Sequence, residues 1–140
     1  MKQENICGAY IKHISDALQR DCNNDLREKD LTMSQLTVLH ELAGEPNGEL
    51  SMKELEKRLQ VAQSTAAGII ARLEQKGFVE GFGSAEDKRI KIVRITKAGL
   101  ACCEESQSHM AQTEERLLSS LTEEERIQFQ ALLKKVSESL

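Results

Sequence analysis

Two groups of polar side chains in the middle of the chain have types and spacing suited to recognition chemistry. Gln63, Ser64 and Thr65 open a helix-favouring run, and Asp87, Lys88 and Arg89 sit in a polar tip, GSAEDKR, between two β-type runs. A glutamine amide can pair in a bidentate way with adenine, and a guanidinium suits a narrow, electronegative minor groove. Asp87, two residues before Arg89, is placed to hold that guanidinium in pose, and Lys88 adds attraction for phosphate. Arg72 and Lys76 lie farther along the same helix and are expected to touch phosphates, which position a protein without reading sequence. Ala67 and Gly68 permit close backbone approach. The bland reading of each charge is a solvated surface, with Asp87–Arg89 an exposed ion pair of little worth.

Covalent chemistry finds less support. No Ser/His/Asp set, phosphate loop or clustered acid pair is present, so the chain is not expected to be an enzyme. The glutamate runs at 104–105, 114–115 and 123–125 read as solvated faces and a helix start. Cys7 and Cys22 share one helix stripe about 22 Å apart, too far to bridge within a straight helix. Burial in a helix seam explains them best. Adjacent Cys102 and Cys103 point to different helix faces, so one of them is expected to be exposed and reactive. Cys102 and Cys103 are therefore candidate redox thiols. No C-x-x-C spacing occurs, and His13, His40 and His109 are scattered, so neither a metal site nor a cofactor is expected.

The elements that must carry these groups follow from patterning. A chain of 140 residues makes one ordinary domain, or a domain with dimerising extensions. Aromatic residues make up only 3%, which argues against binding single strands on stacking platforms. The formal net charge of −4 is unevenly spread. Residues 51–99 hold ten Lys/Arg against six Asp/Glu, a local +4, while 1–50 and 100–140 are each −4. A basic centre between acidic ends suits a nucleic-acid-reading middle on a separate scaffold. No apolar stretch approaches the ~18 residues of a membrane span, and the N-terminus lacks a signal-peptide core. A cytoplasmic protein with reduced thiols, and no membrane partner, is expected.

Apolar spacing of three and four predicts a helix over 5–29, with Cys7, Ile11, Ile14, Leu18, Cys22 and Leu26 on its seam. Thr32 and Gln35 form a capping box for the next helix, and Ser51 and Glu54 form another. A helix at about 63–76 points Ala66, Ile69, Ile70 and Leu73 inward and closes at Gly77. Phe78-Val79 and Ile90–Ile95 begin and form the two β runs. A long helix is expected from Lys97 to Leu121, and a last one follows the Thr122/Glu125 cap. The fold class is thus mainly α with a small β-hairpin wing. It is a winged helix-turn-helix over 31–99, with N- and C-terminal helices at 1–30 and 100–140 that intertwine in a homodimer. Such a dimer sets two helices about 34 Å apart, matching a pseudo-palindromic site in double-stranded DNA. A dimeric winged-helix scaffold that binds a protein partner is the alternative.

The chain resembles the multiple-antibiotic-resistance regulator (MarR) family. Asp87, Arg89, Thr96 and Gly99 stand as D-x-R-x(6)-T-x-x-G, while LTMSQLTVLHELA and ARLEQKGFVE resemble the family's second helix and the end of its recognition helix. The resemblance implies a dimeric transcriptional regulator, usually a repressor, often released by a small effector bound between its two functional halves, and in other members by oxidation or metal. It also implies a peroxide-sensing role for Cys22, as in the organic-hydroperoxide branch. Three positions depart from the pattern. Ala62 replaces a common Ser/Thr cap, whose loss costs about 1 kcal/mol. Gly68 replaces a long polar side chain, and Gly81 stands where an Arg is common. DNA shape is expected to carry more of the specificity than usual.

Overall fold

Backbone groups left free at helix ends dictate where the helices begin and stop. The computed structural model describes residues 6–140, so Asn5, the expected start of the first helix, lies outside it. The described elements run α1 (Cys7–Glu28), α2 (Met33–Ala43), β1 (Glu49–Ser51), α3 (Met52–Leu59), α4 (Gln63–Gln75), β2 (Val79–Gly83), β3 (Lys91–Ile95), α5 (Lys97–Leu117) and α6 (Glu123–Glu138). Residues up to Gln107 form one compact unit and Ser108–Leu140 a second.

In the first unit, Thr32 Oγ1 accepts the Gln35 N–H at 3.1 Å and Gln35 Oε1 accepts the Thr32 N–H at 3.2 Å, the expected reciprocal cap of α2. Ser51 supplies one bond of its box, accepting from Glu54 N at 3.1 Å. α4 ends as expected at Gly77, whose φ of 77° a glycine adopts without Cβ strain. The Phe78 N–H then reaches the Leu73 carbonyl and the Gly77 N–H reaches that of Glu74, closing a Schellman turn. α1 ends the same way with Asp30 at φ 53°.

The sheet has one strand more than the sequence suggested. β3 lies in the middle, antiparallel to β1 and to β2. Glu49–Ser51, read from sequence as the edge of a turn, pairs with Arg94–Ile92. Three residues are too few to display a period of two, so the strand had no pattern to betray it. The Val79↔Ile95, Gly81↔Val93 and Gly83↔Lys91 register places Val79, Val93 and Ile95 on the inner face, where all three are buried. They pack with Val38, Leu39, Leu42, Leu55, Ile70 and Leu73. Leu26, Cys102 and Cys103 complete that core, so the end of α1 and the first half of α5 belong to it. A half-shielded ion pair reinforces this: Lys29 Nζ lies 3.0 Å from Asp25 and 3.1 Å from Ser106 Oγ.

The T-x-x-G motif has a clear mechanical role. Thr96 Oγ1 donates to the Gly77 carbonyl at 2.6 Å and accepts the Gly99 N–H at 3.2 Å. Gly99 packs so closely on Phe78 that a Cβ there would lie 2.3 Å from the Phe78 carbonyl oxygen.

In the second unit, α5 ends at Leu117, four residues earlier than expected, because Leu118–Leu121 form a turn. Arg126 braces that turn, donating to the Leu118 carbonyl at 3.1 Å and pairing with Glu115 at 3.0 Å. Thr122 and Glu125 make the expected capping box. No residue of α6 is buried, and Ile127, Leu132, Leu133 and Val136 are exposed. On α1, Ile11 and Leu18 are exposed as well, and of the expected seam only Leu26 is buried.

Replacing Gly99 by Ala forces the Phe78 carbonyl and α5 apart. The expected cost is about 2–3 kcal/mol, the upper range for an overpacked site, read as a lower denaturant midpoint.

Candidate nucleic-acid interface

The buried face of α4 is Ala66, Ile70 and Leu73, with Ile69 half-buried at its edge. At about 100° per residue, the opposite stripe is Ser64, Gly68, Ala71 and Gln75. All four are exposed. Gln63 and Ala67 turn toward the β2–β3 hairpin, Arg72 and Lys76 toward the α1–α2 elbow, and Thr65 is exposed near the helix start. Ala71 and Gln75 were not singled out from sequence; the helix phase, once the core is known, places them outward.

Side-chain size on this surface is small. Ala62 caps α4 with extended backbone and no side-chain hydrogen bond. Gly68 has open space where a Cβ would stand, so nothing inside the protein requires a glycine there. The result is a low-relief helix face on which backbone can approach a partner closely.

The hairpin tip is built around one carboxylate. Asp87 Oδ1 accepts the Arg89 backbone N–H at 3.0 Å and Arg89 Nε at 3.1 Å, while Oδ2 takes the guanidinium's second edge at 2.9 Å. This is the posed Asp87–Arg89 pair expected from sequence. The Arg89 side-chain bonds and the backbone N–H hold the Asp87 carboxyl below its ordinary range, and Asp87 raises the guanidinium in turn. The Arg89 side chain is nevertheless 90% exposed, so the pair orients a cation without hiding it. Lys88 is exposed beside it. Gly83 permits this tight tip, because a Cβ there would meet the Lys88 carbonyl oxygen at 2.8 Å.

Helix and hairpin face each other across a cleft of about 720 Å³, where Gln63 and Ala67 stand on one wall and Asp87, Arg89 and Lys91 on the other. Lys53 of α3 joins them. Lys53 and Lys91 were missed from sequence, since neither carries a motif and the inner phase of Lys91 is set only by strand register. The groove is thus flanked by an exposed helix and a posed arginine, with Glu56 also on its wall.

Comparison with known proteins gives the family. The MarR family's sequence model matches residues 29–90. The multiple antibiotic resistance protein MarR of Salmonella typhimurium is 31% identical over 130 residues, covering 92% of this chain and 89% of that protein. The chain belongs to the MarR family. The HTH-type transcriptional repressor MdtR of Bacillus subtilis is 28% identical over 129 residues, 92% of this chain and 82% of that protein. Among solved structures, the MepR–DNA complex of Staphylococcus aureus superposes with a TM-score of 0.81 at 28% identity, over 91% of this chain and 95% of that one. The chain is thus a MarR-family transcriptional regulator with that family's DNA-binding winged-helix fold.

Two expectations for this MarR-family surface need correction. Lys76 does not point outward. Its ammonium donates to the Asp30 carbonyl and to Gln35 Oε1, within 3.9 Å of the Asp30 carboxylate. Gln35 is buried, and the elbow's left-handed Asp30 turns its carbonyl toward α4, so the lysine is drawn inward. Arg72 lines a separate hollow of about 500 Å³ at this elbow, with Lys76 and Arg27. Nor is either of Cys102 and Cys103 exposed: they are 7% and 3% accessible. Gly99, Cys102, Cys103 and Ser106 recur at spacings of three and four and form one buried stripe of α5, wide enough to take both adjacent thiols into the core. Burial pushes the Cys103 thiol up to about 11 and raises Cys102 as well. Cys22 is half-buried and Cys7 exposed. Among the described residues no cluster of His, Cys, Asp or Glu is disposed to hold a metal, and no helix is long and apolar enough to cross a membrane.

Two outcomes follow. Alkylation of the folded protein at pH 7–8, read by peptide mass, should spare Cys102 and Cys103; since the thiolate is the reactive form, Cys103 labelling should rise only as pH approaches about 11 or on unfolding. Lys76→Met should lower stability by about 1–2 kcal/mol, as buried Gln35 loses a charged donor, and leave the salt dependence of DNA binding unchanged.

Proposed function

We propose that this protein is a homodimeric repressor that reads a pseudo-palindromic operator. Each subunit sets α4 in the major groove and the hairpin against the adjacent minor groove. The observation that carries the reading is the single cleft joining Gln63 and Ala67 to the Asp87–Arg89 pair. Gln63, Ser64 and Thr65 make the base-edge contacts, with close backbone approach at Ala67 and Gly68. Arg89 enters the minor groove with Asp87 holding its pose, and Lys88 and Arg72 meet phosphate. Repression follows because an occupied operator excludes the transcription machinery, and the repressor named among the relatives supports this.

Dimerisation is supported by apolar side chains that each subunit leaves in water. Ile11 and Leu18 on α1, and Ile127, Leu132, Leu133 and Val136 on α6, exceed what isolated surface residues explain. The terminal regions, 1–30 and 100–140, are where the two copies join. A small effector releases DNA by favouring a dimer whose α4 helices no longer match the half-site spacing. The Lys76 tie to the elbow supports this, since it passes a shift at Asp30 to the end of α4. The cytoplasm is the compartment where such a protein meets DNA.

A fluorescence-anisotropy titration on a duplex from the chain's own promoter region tests the reading. Salt-sensitive binding is expected, and Arg89→Ala should weaken it by about 1–3 kcal/mol without altering the fold. Sedimentation should find a dimer at micromolar concentration, and a folded single subunit would refute the arrangement.

A further inference from the structure

Lys91 breaks the apolar pattern of its strand. It shares the inner face of β3 with buried Val93 and Ile95, yet it is a lysine. Its cross-strand neighbour is Gly83, and the diagonal neighbour is Gly81. A Cβ on Gly81 would lie 2.7 Å from Lys91 Cε and 3.1 Å from Glu74 Oε1. Gly81 clears a lane on β2, and the lysine stem runs over it. Its ammonium ends 3.4 Å from Glu74 of α4, with the lysine side chain 52% exposed. Gly81 is thus no gap in the surface. It exchanges a side chain on β2 for one delivered from β3, and the cation still arrives between helix and hairpin.

We propose that Lys91 is a phosphate-binding residue, admitted by Gly81 and parked on Glu74 until DNA fills the cleft. This rests on the cleft being the DNA-binding surface. Lys91 lines that cleft beside Arg89 and opposite Gln63 and Ala67. A backbone lying between α4 and the hairpin passes over this ammonium. The partner it leaves is a single, partly exposed carboxylate at long distance, a weak hold that a phosphate can outcompete. The acceptor class is the phosphodiester backbone, since a flexible point charge that does not present a planar fork selects charge and not base identity.

The test uses the full chain and two duplexes of about 30 base pairs, one from its own promoter region and one of mixed sequence. Binding is followed by anisotropy across a salt series. For Lys91→Met, the slope of log affinity against log salt should fall by about 0.9 for each phosphate that is no longer neutralised, on both duplexes. Lys91→Arg should restore the slope. Glu74→Gln should keep it and bind at least as tightly, whereas a mere brace between helix and hairpin would make Glu74→Gln weaken binding as Lys91→Met does. Unchanged slope and affinity in folded Lys91→Met, while Arg89→Ala still weakens binding, would overturn this proposal alone. No salt-sensitive binding by the unaltered protein would overturn the DNA reading with it.

Discussion

The Thr96 hydroxyl joins three elements that must move as one. It donates to the carbonyl that ends α4 and accepts from the third residue of α5, while its own N–H bonds the Phe78 carbonyl at the start of β2. Every other feature of the surface is measured from this joint. α4 can present a fixed face only if its far end is pinned, and the hairpin can stand opposite only if both strands leave that point at set angles. Gly99 makes the joint close enough to work, since any side chain there would meet a backbone carbonyl that has nowhere to go. The motif therefore serves rigidity at one end, and the Asp87–Arg89 clasp poses an exposed cation at the other.

Rigidity matters because the recognition surface is poor in long side chains. With Ala62, Ala67, Gly68 and Ala71 along α4, few groups can reach deep into a groove. On the proposed DNA reading, discrimination then depends on how well a stiff outline matches the shape and deformability of DNA, with a posed guanidinium sensing minor-groove width. A loose hairpin would forfeit that, because each ångström of play blurs the match. The bidentate clasp of Asp87 and the closed tip at Gly83 limit that play. The cross-strand cluster on the outer face does so as well, where Arg94 pairs with Glu49 at 2.9 Å and stacks 4.6 Å above the Phe82 ring.

Charges that looked alike in the sequence are used in opposite ways. Lys76 closes a helix and Arg89 sits at a hairpin tip, yet one is held by Asp30 and Gln35 and the other is displayed. The difference is the local supply of acceptors. An ammonium near a buried amide oxygen and a left-handed carbonyl turns inward, adding a charged donor to both acceptors. A guanidinium at a solvated tip meets a single carboxylate and keeps most of its surface in water. The same logic separates the cysteines, with burial quenching the pair on α5.

Much of the architecture was legible because it depends on local rules. Caps at Thr32, Ser51 and Thr122, the glycine stop at 77, the 3.6-residue spacing of α2 and α4 and the wing motif each act within a few residues, and each could be read directly. The missing return bond of the Ser51 box, where Glu54 accepts instead from an Arg58 held by Glu41 and Glu45, the short strand β1 and the early end of α5 could not, because they turn on contacts made elsewhere in the chain. At the site, the sequence alone determined which residues form the hairpin tip and that Asp87 would hold Arg89, a bond spanning two residues. Only the tertiary structure decided that Lys76 turns inward, that both Cys102 and Cys103 are buried and that Lys91 threads past Gly81 into the cleft. Those outcomes depend on which distant acceptors, core atoms or gaps a side chain meets, and distance in space is not written in spacing along the chain.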